Sequence, residues 1–587
     1  MTTPLKAFST LALSTLAIAC SSQSHAQTFT TQCQPQPEPI VGKASISGLT
    51  YVGSAIADAP FDTSAAEIVN YDPCTDKLYV INAQAKQVDV LSFNEQGQPA
   101  KSATINLDSA AKRAKMAIGA ANSVAIHNGL VAVAIENANK QENGLIALYQ
   151  SHDLSLVTTY PAGALPDMVS FSKDGRYIAS ANEGEPSADY RVDPNGSVTL
   201  IDLKEGPLNA TVTQIQFTDF DNERRSEFDD KVRISGPNST VAQDLEPEYL
   251  TFADNGKIYV ALQENNAMAI IDVSTARVDK VVGLGEKSWA TSKLDASNKD
   301  DMAGHFQHYT QLVGLYMPDS IDSYSVDGQT YLISANEGDG REYGFDTTQE
   351  RCDQAGFTWD EDDYRADDKY TTKQGFCISH TDEVRGKKLN VSDQHPLAEA
   401  LKDKKQLGRL KVVKSSTKLA AHENVQAFGA RSFSIWNENG KLVFDSGDQI
   451  AHIAALSEKQ HFNSSNDSNQ SGDDRSDDKG AEPEAIEVAN INGRDYAFVG
   501  LERQGGIMVF DISQPTQAEF LHYVNRRDYT QPVCSEVEDG ECANGVYNPL
   551  AGDLGPESIH YFHRHGQHFI AVGNEVSGTT SIFRIEL

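Results

Sequence analysis

Leu165-Pro166-Asp167-Met168-Val169-Ser170-Phe171, a turn at Asp174-Gly175, and Tyr177-Ile178-Ala179-Ser180-Ala181-Asn182-Glu183 read together as a β-hairpin. β-Branched and aromatic residues alternate with small polar ones, and the Gly supplies the positive φ of a tight turn. The same pattern returns along the chain. Glu246-Pro247-Glu248-Tyr249-Leu250 leads through Asn255-Gly256 to Glu264, and Met317-Pro318-Asp319-Ser320-Ile321 leads through Asp327-Gly328 to Glu337. Glu482-Pro483-Glu484-Ala485-Ile486 leads through Asn492-Gly493 to Glu502, and Gly555-Pro556-Glu557-Ser558-Ile559 leads to Glu575. Weaker copies lie at 67–93, 122–149 and 433–456.

A meander of three or four strands cannot bury both faces alone, so such units stack or close into a ring. Unit spacing of ~40–80 residues predicts an all-β fold, a β-propeller of seven or eight four-stranded blades over 44–587. The last unit shows three strands, and the unpartnered run 46–56 is expected to complete it and close the ring. Two insertions interrupt the repeat: 341–427 is expected to form a cap-like insertion, and the polar stretch 457–481 a flexible acidic loop. A helix is expected from 396 to 405.

The 587 residues carry 83 Asp+Glu against 49 Lys+Arg, a net charge of −34. That excess argues against nucleic-acid binding and against polybasic membrane attachment. Residues 1–26 read as an export signal, with Lys6 ahead of a short apolar run. Two processing sites compete: cleavage after Ser24-His25-Ala26, or lipidation of Cys20 within Ala17-Ile18-Ala19-Cys20. No later stretch is apolar enough to span a bilayer. The chain is therefore expected to be exported, as a periplasmic, outer-membrane-tethered or extracellular protein of a bacterium. Six further cysteines in an oxidising compartment suggest three disulfides, for which fifteen connectivities exist. Proximity favours Cys352–Cys377 and Cys534–Cys542, leaving Cys33 with Cys74.

The repeats also align acids. Asp167, Glu248, Asp319, Glu484 and Glu557 precede the first strand of their units, and Glu183, Glu264, Glu337, Glu502 and Glu575 close the second. The separations are 16, 16, 18, 18 and 18 residues. Even spacing preserves side-chain facing, so all ten should ring one mouth of the propeller. Two readings stand side by side. Such acids accept backbone N–H bonds at strand starts or pair with Arg431, Arg503 and Lys479; alternatively they hold a cation, with Ca²⁺ suited to oxygen ligands. No other cofactor is indicated. The loop 295–301 and the pair His305 and His308 are weaker metal candidates. His560, His563, His565 and His568 share the last hairpin. There is no nucleophile elbow and no phosphate-binding glycine loop.

Six ordered stretches, among them LPDMVSFSKDGRYIASANEGEPSADY, LEPEYLTFADNGKIYVALQENN, GLYMPDSIDSY, GARSFSIW, RSDDKGAEPEAIEV and NEVSGTTSIFRI, resemble the choice-of-anchor I family. This is a bacterial secreted or surface family related to the mesenchyme-specific cell surface glycoprotein. The resemblance implies an exported propeller with YVTN- or quinoprotein-like blades, and it assigns no catalytic residue. It leads to a propeller that binds an extracytoplasmic ligand or partner at its acidic mouth, with Ca²⁺ as the candidate ion. The alternative is a metal-dependent phosphoesterase, since some members carry an alkaline-phosphatase label. It requires the ring to hold cations that clamp a phosphate.

Overall fold

The middle strands of each unit are apolar runs, while the flanking strands are mixed, a pattern that calls for sheets packed on both faces. The computed structural model describes residues 33, 36, 37, 39, 41–360, 375–538 and 541–587. It contains seven four-stranded antiparallel sheets. Blade 1 begins with Val69–Asp72, blade 2 with Ile118–His127, blade 3 with Pro166–Phe171 and blade 4 with Leu250–Phe252. Blades 5, 6 and 7 begin with Ile321–Val326, Pro483–Ile491 and Pro556–Arg564. Second and third strands such as Lys77–Asn82 and Ile507–Asp511 are buried almost throughout. Fourth strands such as Thr211–Gln216 are mostly open to solvent.

The first strand of each blade packs beside that of the next, and the first strand of blade 7 packs beside those of both blade 6 and blade 1. At that last junction Val69, Tyr71 and Leu78 share one apolar cluster with Phe562, Ala571 and Ile582. The Tyr71 and Phe562 rings stack at 4.4 Å, and Arg564 Nε reaches Asp76 Oδ1 at 2.6 Å. Blade 7 is completed by Gly48–Ile56, which pairs antiparallel with Thr579–Glu586 as its outer strand. Seven four-stranded sheets thus follow one another, and the N-terminal strand completes the last of them.

The sequence lists eight units because blade 5 is split. Its second strand, Gln329–Asn336, pairs directly with Ser432–Asn437, so the copies at 317–337 and 433–456 are one blade. The intervening residues build a three-stranded sheet (Glu342–Thr347, Thr358–Trp359, Gly375–Thr381) closed by Cys352–Cys377. They also give three strands to a five-stranded sheet shared with Glu286–Ser288 and Leu312–Leu315. The expected helix at 396–405 is instead a series of turns with a single 3₁₀ turn, Ala400–Lys402. Cys33–Cys74 and Cys534–Cys542 are also bonded.

The stretch 457–481 is not a free loop. Phe462 is fully buried in the core between blades 5 and 6, and Asn463, Ser464, Asn466, Asn469 and Ser476 are buried beside it. Arg527 holds the segment by donating to Asn469 Oδ1 and to the carbonyls of Ser465 and Ser468. The export signal and Cys20 lie outside the described residues, and among the described residues no helix is long and apolar enough to cross a membrane.

Candidate functional site

Each first-position acid occupies the extra residue of a β-bulge. In blade 4 the N–H of Glu248 and the carbonyl of Tyr249 both pair with Ala261; Asp319 and Ser320 meet Ala335 in the same way, as Glu67 and Ile68 meet Ile81. Register shifts at Pro166/Met168, Pro483/Ile486 and Pro556/Ser558 place Asp167, Glu484 and Glu557 likewise. A bulge re-aims its side chain out of the pleat, and here Glu67, Asp167, Asp319 and Glu557 all line one cavity. The following strand returns antiparallel and ends at the same mouth, so Glu183, Glu264, Glu337, Glu502 and Glu575 join it.

Two members escaped the sequence pattern. Glu67 is the first-position acid of blade 1, which lacks the preceding proline, and Glu136 is the second-position acid of blade 2. Asn122 takes the bulge position in blade 2, and Ala83 the second position in blade 1. The signal that finds Glu136 is the same even spacing, 14 residues from Asn122. Fourteen equivalent positions therefore carry twelve acids. Together with Lys140, Tyr249 and Glu185, several of them line a cavity of about 420 Å³.

The ring divides into two arcs. In the first, the protein supplies its own cations. Lys479 Nζ lies 2.9 Å from Glu337 Oε1 and 3.4 Å from Glu482 Oε2; Arg475 and Arg503 reach Glu482 at 2.6 and 3.2 Å, and Arg503 reaches Glu502 at 3.2 Å. Burial alone would raise Glu482, but these three cations hold its carboxyl well below the usual range. Glu337, Glu482 and Glu502 bring ligand atoms within 4.8 Å of one another, yet each already pairs with a cation, Lys479 and Arg475 from the buried segment and Arg503 from blade 6. The insertion contributes Arg341, only 2% exposed, which pairs with Asp244 and Glu246. Arg431 pairs with no ring acid; its guanidinium donates to the carbonyls of Asp295, Ser476 and Asp478.

In the second arc Asp319, Glu484 and Glu557 also bring ligand atoms within 4.8 Å of one another, here from the bulges of blades 5, 6 and 7. Glu484 is 8% exposed, and its Oε2 is buried without a hydrogen-bond partner; Oε2 of Glu248 is similarly unpartnered. Burial and then the Glu557 carboxylate push Glu484 well above the carboxylate range. Burial and Glu337 push Asp319 up to about 8. Burial and Glu575 raise Glu557 well above its ordinary value. Three hard oxygen donors short of positive charge form an oxygen set suited to a divalent cation.

The weaker candidates have partners within the protein. Asp295 accepts the N–H groups of Ser297, Gly304 and His305, so the 295–301 loop is held by its own backbone. His305 binds Asp300 and His308 binds the Ser292 carbonyl, so the two do not converge. His568 bonds to Tyr561, and His560 lies 3.8 Å from Glu487.

A family model described as the Choice-of-anchor I domain matches residues 67–515. The mesenchyme-specific cell surface glycoprotein of Strongylocentrotus purpuratus is 28% identical over 297 residues, 47% of this chain and 36% of that protein. Gigasin-3a of Magallana gigas is 27% identical over 191 residues, 30% of this chain and 64% of that protein. The match thus spans less than two thirds of either relative. Among solved structures, Kuenenia stuttgartiensis hydrazine synthase aligns over 90% of this chain and 97% of that one, at 10% identity and a TM-score of 0.41. With the family model covering most of the seven blades, the chain belongs to the choice-of-anchor I family.

Proposed function

We propose that this protein is a surface-associated β-propeller that binds Ca²⁺ at Asp319, Glu484 and Glu557 and uses the bound ion to dock an extracellular ligand at the acidic mouth. The observation that carries this reading is the buried, unpartnered Oε2 of Glu484 beside two further carboxylates within 4.8 Å. Leaving such a group unsatisfied is costly, and an ion would satisfy all three at once. Three side chains leave part of the usual six to eight Ca²⁺ positions for water or ligand oxygens. A surface location is supported by the family and by the printed description of the sea-urchin relative as a cell surface glycoprotein.

The phosphoesterase alternative needs a second cation, and it is supported less. Of the two carboxylate clusters among the described residues, one already faces Lys479, Arg475 and Arg503. The test is thermal unfolding after chelation, with Ca²⁺ or Mg²⁺ then restored. Ca²⁺ should raise Tm in the wild type and leave Glu484→Gln unmoved. An unchanged Tm in the wild type, together with metal-free elemental analysis before chelation, would sink the reading.

A further inference from the structure

The cavity that Asp319 and Glu557 line on one side has a different chemistry on the side of blades 1 to 3. Its wall there is made by Glu67, Glu136, Asp167, Glu183 and Glu185, and one cation, Lys140, faces them. Lys140 stands on the loop after the second strand of blade 2, more than half exposed, with Nζ 3.7 Å from Glu185 Oε2. These acids belong to neither group whose ligand atoms already converge within 4.8 Å. Separated carboxylates suit separated charges better than a single ion.

A second observation points into the same space. Ser123, 1% exposed, lines the cavity, and its Oγ has no hydrogen-bond partner. A hydroxyl oxygen in that position can accept from an ammonium N–H, or donate to a ligand oxygen. Space for the acids is built into the backbone: a Cβ on Gly119 would fall 2.1 Å from Glu136 Oε1. The volume of about 420 Å³ lies within the ~300–1,000 Å³ usual for small-molecule sites.

We propose that this side of the mouth binds a small organic ligand bearing two or more primary ammonium groups, an aliphatic polyamine being the simplest member, with Lys140 occupying one ammonium position as a built-in competitor. The carboxylates would pair with the ligand ammoniums, and Ser123 Oγ would accept from the one nearest blade 2. Glu67 is pushed up to about 8 by burial, Asp167 and Glu575, and Glu183 is raised by burial and four further acids, so the one cation Lys140 leaves the wall short of compensating charge. The site uses residues apart from the Asp319, Glu484 and Glu557 cluster and does not need Ca²⁺.

The experiment is calorimetric titration of the full chain with spermidine in chelator, at low and at moderate salt. Working without Ca²⁺ reads the amine site by itself, so failure of the Ca²⁺ reading leaves this result interpretable. Saturable binding is expected, weakened at least tenfold in Glu67→Gln/Glu183→Gln. Removing the exposed competitor in Lys140→Met should tighten it several-fold. A second readout is the spermidine-induced rise in Tm, which should follow the same order. Absence of saturable binding at low salt would overturn the proposal. So would equal binding to the double variant, since that would reduce the effect to the overall net charge.

Discussion

Lys479 Nζ lies 2.9 Å from Glu337 Oε1 and 3.4 Å from Glu482 Oε2, two members of a carboxylate cluster whose geometry would otherwise suit a metal ion. The lysine is raised well above its ordinary value: burial opposes the charge, but Asp339, Glu337 and Glu482 more than offset it. It arrives from the polar stretch before blade 6, so that stretch serves as the counter-ion of the mouth.

Replacing Lys479 by Met should therefore destabilise the protein by about 3–5 kcal/mol, the usual cost of leaving a buried charge without its partner. The variant should also gain a response that the wild type lacks at this position. Millimolar divalent cation should recover more Tm in Lys479→Met than in wild type, because Glu337, Glu482 and Glu502 are already gathered within 4.8 Å. Equal cation-induced shifts in the two proteins would show that the lysine does not stand in for an ion.

The raised carboxyls fix a pH dependence. Burial, with neighbouring carboxylates, pushes Asp319 and Glu67 up to about 8 in the folded chain, against about 4 for such groups in an unfolded chain. Below about pH 4 both states are protonated and the stability is complete. Between about 4 and 8 the folded state holds protons that the unfolded chain has released, so stability falls as pH rises. Glu482, held low, works in the opposite sense, and its effect is lost only in stronger acid. In chelator, Tm should decline from pH 5 to pH 8. With Ca²⁺ present the decline should flatten, since a bound ion compensates the ionised cluster. A chelated Tm that rises over this range would contradict the assignment.

How much of this was legible in the sequence depends on where the partners lie. The hairpins were readable because their cause is local: Asp327-Gly328 and Asn492-Gly493 both take positive φ at two successive residues. The blade count was not, because Gln329–Asn336 finds its neighbour Ser432–Asn437 across the whole insertion. Segment 457–481 has the composition of a solvated loop. Its burial depends on distant groups, such as the Asp528 and Gln531 carbonyls that accept from Asn469. The ring of acids was visible through even spacing. Its division into a neutralised and an uncompensated arc was not, because Lys479, Arg475 and Arg341 come from outside the repeat.

The Cys352–Cys377 bond closes a span of 25 residues within the insertion. A loop of that size contributes roughly 3 kcal/mol in the chain-entropy account. The three-stranded sheet it joins makes no strand pair with any blade. Cys352→Ala/Cys377→Ala should thus make the insertion more sensitive to limited proteolysis while the main unfolding transition moves little. Loss of the main transition would mean that the insertion is part of the cooperative propeller unit.

The closing strand offers the sharpest test of the ring. Gly48–Ile56 pairs with Thr579–Glu586 from Gly48 opposite Glu586 to Ile56 opposite Thr579. Tyr51 lies under the Arg526 guanidinium at 3.3 Å, linking this strand to the segment after blade 6, and Ser54 Oγ meets Ser581 Oγ at 2.7 Å. Removing the strand would leave blade 7 three-stranded and expose Thr579–Glu586 as an edge, a template for pairing with other chains. A chain beginning at Ala57, with Cys74→Ser to avoid an unpaired thiol, should unfold at lower temperature and self-associate. A synthetic peptide spanning 44–57 should bind it by strand addition, restore Tm and suppress the association. The same peptide should not bind the full-length chain, whose edge is already filled. An unaltered Tm in the truncated chain would show that the strand decorates blade 7 rather than closing the ring.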